Sequence, residues 1–104
     1  MTVLERLEAT IAERLVGSAE PSYVARLHAK GLPKIAQKVG EEATETVIAA
    51  VSGSEGEVIG EAADLIFHLM ILLQARGLTL DHVLAELERR EGLSGLEEKA
   101  SRAD

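Results

Sequence analysis

Apolar residues recur along this chain at intervals of three and four, the period of a helix with one covered face, and nowhere alternate with polar ones as a half-buried strand would. Leu4, Leu7, Ile11 and Leu15 make the first stripe. Thr2 and Glu5 have the spacing of a capping box ahead of it, and Gly17 ends it. Residues 18–22, Ser-Ala-Glu-Pro-Ser, read as a loop. A short helix from about Ser22 to Lys30, carrying Tyr23, Arg26, Leu27 and Lys30, stops at Gly31. Pro33 suits the first helical position of a third helix, which runs to about Ser52. Its apolar stripe is Ile35, Val39, Ala43, Val47 and Ala50; beside it lie Lys34, Lys38, Glu41, Glu42 and Glu45. The fourth helix, about Glu55 to Arg76, is different. From Leu65 to Leu73 every residue but His68 is apolar, so this helix must be covered on most sides. Gly77 closes it. Thr79 caps a last helix with Leu80, Val83, Leu84 and Leu87 on one face, reaching about Arg90. From Gly92 onward the tail is small and polar apart from Leu93 and Leu96, and is expected to fray. The pattern predicts an all-α fold without internal repeats.

Between the third and fourth helices lies Ser52-Gly53-Ser54-Glu55-Gly56, a run unsuited to a helix interior. If the chain folds back there as an antiparallel helical hairpin, residues equidistant from Gly53 stand level with each other. Glu42 is then opposite Asp64, and Glu45 opposite Glu61; within each helix the two acids are three apart and share a face. Both pairs should meet roughly 12 Å below the turn, at about 1.5 Å rise per residue. With Glu41 alongside, five carboxylates converge on one spot.

Composition narrows the setting. A chain of 104 residues is one domain, and 46% apolar with 28% charged residues is a globular balance. Yet there is one Phe, one Tyr and no Trp, so the core must be built of Leu, Ile, Val and Ala. A short chain buries a modest fraction of its surface, and oligomerisation is the usual remedy. The apolar fourth helix has too few neighbours to cover it, which predicts a homodimer whose core is a four-helix bundle of two hairpins, with short flanking helices. Its apolar run is shorter than a membrane span and is abutted by Glu61 and Asp64. Absence of cysteine removes disulfides, thiolate metal sites and a Cys nucleophile. A net charge of −7 argues against a nucleic-acid partner, because phosphate backbones need a basic footprint. The start, Met1-Thr2-Val3-Leu4-Glu5, lacks the basic and apolar regions of a signal peptide, and a cytoplasmic location is expected.

Packed carboxylates raise one another's proton affinity unless a cation neutralises them. Mg²⁺ takes oxygen ligands, retains waters and completes its octahedron with phosphate oxygens. A solvated acidic helix face is the plainer reading of Glu42 and Glu45. It fits Glu61 and Asp64 less well, because their helix otherwise reads as buried. Lys38 stands one turn before Glu41 and Glu42, placed either for ion pairing or as a point charge for phosphate, with Arg26, Lys30 and Lys34 as further substrate-binding candidates. His68, one turn beyond Asp64, reads as a hydrogen-bonded core histidine, and Tyr23 as a packing residue more than a base stacker.

The pattern Glu-Glu-x-x-Glu, some fifteen residues, then Glu-x-x-Asp resembles the all-α nucleoside-triphosphate pyrophosphatases of the MazG type. Within that superfamily the chain is most similar to the phosphoribosyl-ATP pyrophosphatases. Ser22-Tyr23, residues 27–31, Ile35 to Glu45, Glu61 to Leu69 and Ser94 to Lys99 carry the likeness, which runs from about residue 4 to the C-terminus. Phe67 stands where many relatives have Tyr. The resemblance implies Mg²⁺-dependent hydrolysis of 1-(5-phosphoribosyl)-ATP to 1-(5-phosphoribosyl)-AMP and pyrophosphate, the second step of histidine biosynthesis. It also implies Glu42, Glu45, Glu61 and Asp64 as metal ligands. Glu41 is assigned as the general base, with Lys38 beside it in the catalytic site. Some members are fused to a cyclohydrolase; this chain is expected to be free-standing. Three rivals remain to be weighed: a house-cleaning pyrophosphatase for other nucleoside triphosphates, a di-iron bundle and a non-catalytic helical dimerisation module. The di-iron bundle needs Glu-x-x-His pairs, and Ala25, Leu65 and Thr79 stand three before His28, His68 and His82.

Overall fold

Two long antiparallel helices carry everything else. The computed structural model describes residues 1–17 and 22–102. Among them are α1 (Val3–Leu15), α2 (Tyr23–Ala29), α3 (Leu32–Ser52), α4 (Glu55–Ala75), α5 (Leu80–Arg89) and α6 (Gly95–Ser101), with no strand. The expected loop over 18–22 falls, except for Ser22, outside the described residues. α3 and α4 pack along their length, while α1 lies across α2 and α4, and α2 against α3.

Local chemistry sets these boundaries. Thr2 Oγ1 accepts from the Glu5 N–H at 3.1 Å and Glu5 Oε1 accepts from the Thr2 N–H at 2.8 Å, the anticipated capping box. Ser54 and Glu57 form a second one at the head of α4, at 2.9 and 3.2 Å, inside a run read from sequence only as a breaker. Gly31 turns the corner between α2 and α3 at φ +97°, open to glycine at little cost. Gly53 is needed for space: a Cβ there would lie 2.9 Å from the Ala49 carbonyl oxygen.

Ile11, Val24, Leu27, Ile35, Met70 and Ile71 form the core, rimmed by Leu7, Leu15, Phe67, Leu72, Ala75 and Leu80. It therefore occupies the end of the hairpin away from the turn, where α1 and α2 close over it. At the turn end the inward residue is Ala49, whereas Val47 and Ala50 of the expected stripe face outward. Val47, Ile48, Val51 and Ile59 are 58–82% exposed there, and Ile66 and Leu69 remain 46% and 39% exposed. Only the C-terminal half of α4, through His68, Met70, Ile71 and Leu73, is buried within the chain. α4 is also long and apolar enough to cross a membrane, with mean hydropathy 1.6, because Gly60, Ala62 and Ala63 lengthen the apolar window beyond Leu65–Leu73. Glu55, Glu57, Glu61 and Asp64 nevertheless charge its first three turns.

The tail differs from expectation. Ser94 caps α6 by accepting from the Glu97 N–H, and Arg89 donates to both carboxylate oxygens of the buried Glu98. That pairing spans two elements, so helical periodicity gives no sign of it. Hydrogen bonds from Arg89 and Arg90 hold Glu86 down to about 2, and Arg89 likewise holds Glu98 below the usual carboxylate range. A lowered pKa stabilises the fold above the unfolded value of about 4.5 and loses that contribution as the pH falls toward the folded value. Cα chemical shifts of residues 95–101 should thus move toward coil values as the pH falls below about 4.5, ahead of those in α3. Shifts that stay helical to pH 2 would show that the ion pair does not hold α6.

Candidate functional site

The hairpin turn brings acids from both helices together. Oxygen atoms of Glu42 and Glu45 on α3 and Glu61 on α4 lie within 4.8 Å of one another. Glu42 is buried, at 7% exposure, while Glu61 is half-buried and Glu45 exposed. The site reads as electrostatically unfinished. A hydrogen bond and the negative charge of Glu42, then Glu61, push the Glu45 carboxyl up. Burial raises Glu61 first, followed by Glu42 and Asp64. Asp64 stands outside the group of three, close enough to Glu61 to act on it. Its backbone carbonyl accepts from His68 Nδ1 at 2.8 Å. Three hard oxygen donors with a fourth beside them, and no nitrogen or sulfur among them, fit a cation such as Mg²⁺ that also keeps water and phosphate oxygens.

Lys38 closes one side. Its Nζ lies 3.3 Å from Glu41 and 3.6 Å from Glu42. Glu41 lies outside the group of three and accepts from Gln37 Nε2 at 2.8 Å; these hydrogen bonds, Gln37 first and then Lys38, draw its carboxyl below the ordinary value. Gln37 was not singled out from sequence, although its spacing of four from Glu41 was visible there.

Beyond Lys38 the acidic site passes into a basic cleft of about 300 Å³, lined by Tyr23, Arg26 and Leu27 from α2, Lys30 just after it, and Lys34, Lys38 and Glu41 from α3. All four cations named from sequence thus meet. Tyr23 O–H lies 2.7 Å from His68 Nε2. Because His68 Nδ1 donates to the Asp64 carbonyl, the neutral ring accepts at Nε2, and the phenol is the donor. His68 is accordingly the buried, hydrogen-bonded histidine expected. Tyr23 packs on Phe67, with ring centroids 6.3 Å apart, while the residue stays 42% exposed and lines the cleft. Nothing in the sequence marks residues 23 and 68 as partners.

Comparison with known proteins agrees with this arrangement. The profile of the family described as "Phosphoribosyl-ATP pyrophosphohydrolase" matches residues 4–91. A phosphoribosyl-ATP pyrophosphatase of Erythrobacter litoralis is 71% identical over the full length of both chains. One of Novosphingobium aromaticivorans is 67% identical over 98% of this chain and 95% of its own, and one of Methylococcus capsulatus 55% identical over 98% and 97%. With its carboxylate hairpin and adjoining cation cleft, the chain belongs to the phosphoribosyl-ATP pyrophosphohydrolase family.

Proposed function

We propose that this chain hydrolyses 1-(5-phosphoribosyl)-ATP between the α and β phosphates, releasing 1-(5-phosphoribosyl)-AMP and pyrophosphate in the cytoplasm, with Mg²⁺ as cofactor. The observation that carries the reading is the junction of a three-carboxylate group with a cleft of four cations, in a chain similar over its whole length to relatives so named. When bound, the metal neutralises phosphate charge and makes a water more acidic. Glu42, Glu45 and Glu61 would hold it, with Asp64 completing the set. Lys38 sits between this group and the cleft, so an arriving phosphate competes with Glu41 and Glu42 for its ammonium. As Lys38 turns to the phosphate, Glu41 is released from one of its two partners and can accept the proton of the attacking water. The assay is pyrophosphate release from phosphoribosyl-ATP beside ATP and dUTP. Preference for either of the latter would transfer the chain to a house-cleaning role, and no release from any would favour a non-catalytic module.

Val47, Ile48, Val51 and Ile59, with Ile66 and Leu69, leave an apolar strip along the hairpin that nothing among the described residues covers. A second copy completing a four-helix bundle would cover it, and light scattering at micromolar concentration should give twice the 11.1 kDa chain mass. A monomeric mass would refute the dimer.

A further inference from the structure

The corner between α2 and α3 holds three cations with no task at the scissile bond. Two helix faces line the basic cleft: Tyr23 and Arg26 on α2, with Lys30 just after it, and Lys34, Lys38 and Glu41 on α3. Because the helices reverse at Gly31, Lys30 and Lys34 stand at the corner, while Tyr23 and Glu41 stand at the end next to the metal carboxylates. Lys34 precedes Glu42 by eight residues, about 12 Å at the rise of a helix. Lys38 is spoken for by Glu41 and Glu42, but Arg26, Lys30 and Lys34 have no carboxylate partner among the described residues. In a chain of net charge −7, three such cations on one concave surface are a site for an anion.

Resting on the substrate proposed above, we propose that this corner seats the substrate's phosphomonoester, the 5-phosphate of the phosphoribosyl group. The β and γ phosphates are one and two anhydride links from the α phosphorus and stay beside the metal carboxylates and Lys38. The phosphoribosyl phosphate is separated from the α phosphate by two ribose rings and a purine, a separation that suits the far end of the cleft. A phosphomonoester carries about −1.5 to −2 charge at neutral pH, which Arg26, Lys30 and Lys34 together balance. At the carboxylate end stands Tyr23, its hydroxyl tied to His68 and the residue 42% exposed, so it flanks the path that the nucleoside crosses. The corner of α2 and α3 thereby distinguishes phosphoribosyl-ATP from ATP, while the carboxylates of the α3–α4 hairpin treat their triphosphates alike.

The test compares inhibition by three probes, 1-(5-phosphoribosyl)-AMP, AMP and pyrophosphate, in the wild type and in Arg26→Gln and Lys30→Gln. Both side chains are exposed, and circular dichroism verifies the fold. The first probe differs from AMP only in the phosphoribosyl group, so the ratio of their inhibition constants isolates the corner. That ratio should fall about tenfold in each variant, the usual worth of a charge-assisted hydrogen bond, while inhibition by pyrophosphate is unchanged. KM for phosphoribosyl-ATP should rise with little change in kcat, and Arg26→Lys should recover part of the ratio. If pyrophosphate inhibition weakens instead, the corner serves the leaving group and the assignment is overturned; an unmoved ratio overturns it as well. A wild type that releases no pyrophosphate from phosphoribosyl-ATP fails at an earlier stage and removes the function itself.

Discussion

Glu42→Gln should lower turnover by about 10³-fold, the loss of several kcal/mol of charge stabilisation, and leave the metal-free protein more stable than wild type. The two effects have one origin. Glu42 is the buried member of the carboxylate group; a hydrogen bond with it and then its charge head the causes that push Glu45 up, and its charge contributes to raising Glu61. A carboxyl raised in the fold stabilises it only below its folded pKa. Above it, carboxylates held together repel one another, a cost the unfolded chain lacks. Glutamine keeps the shape and removes the repulsion, giving up only the 3.6 Å pair with the partly exposed Lys38. Thermal melts in a chelator should therefore show a higher Tm for Glu42→Gln. Added Mg²⁺ should raise the wild-type Tm by mass action and move the variant's far less. Near-wild-type pyrophosphate release from Glu42→Gln would remove Glu42 from the metal site.

Glu41→Gln, one residue away, should behave differently, keeping near-wild-type Mg²⁺ affinity while turnover drops about 10²–10⁴-fold, the usual worth of a general base. Successive helical residues point about 100° apart, so Glu41 and Glu42 cannot serve one ion equally. The geometry favours Glu42: its oxygen belongs to the group with Glu45 and Glu61, whereas Glu41 turns to Gln37, Lys38 and the cleft. Calorimetric titration with Mg²⁺ and a substrate analogue, set beside turnover for both variants, separates the roles. Should Glu41→Gln lose metal affinity as severely as Glu42→Gln, Glu41 is a ligand and the proton goes elsewhere.

What could be read from the chain was whatever depends on spacing. Glu45 and Glu61, equidistant from Gly53, do come together across the turn, because a helix has a fixed rise. Glu42, Glu45 and Glu61 meet for that reason, and Lys38 reaches Glu41 and Glu42 because three and four residues make one turn. Asp64 shows the limit of counting. It is level with Glu42, yet its carboxylate sits outside the group of three, since facing depends on helix rotation as well as depth. Rotation likewise put Ala49 inward and Val47 outward near the turn. Contacts between distant segments left no trace in the pattern. Tyr23 with His68, and Glu98 with Arg89, are tertiary hydrogen bonds whose partners share no helix.

Tyr23 is the chain's only tyrosine, and there is no tryptophan. The protein's tyrosine emission therefore arises at a single ring, in the cleft wall and hydrogen-bonded to an imidazole. A phenol so held changes brightness when that bond lengthens or when an anion or a purine comes alongside. The molecule is in this sense labelled at its own binding site, and a titration of the unmodified chain is read out by Tyr23 with no indole background from the core.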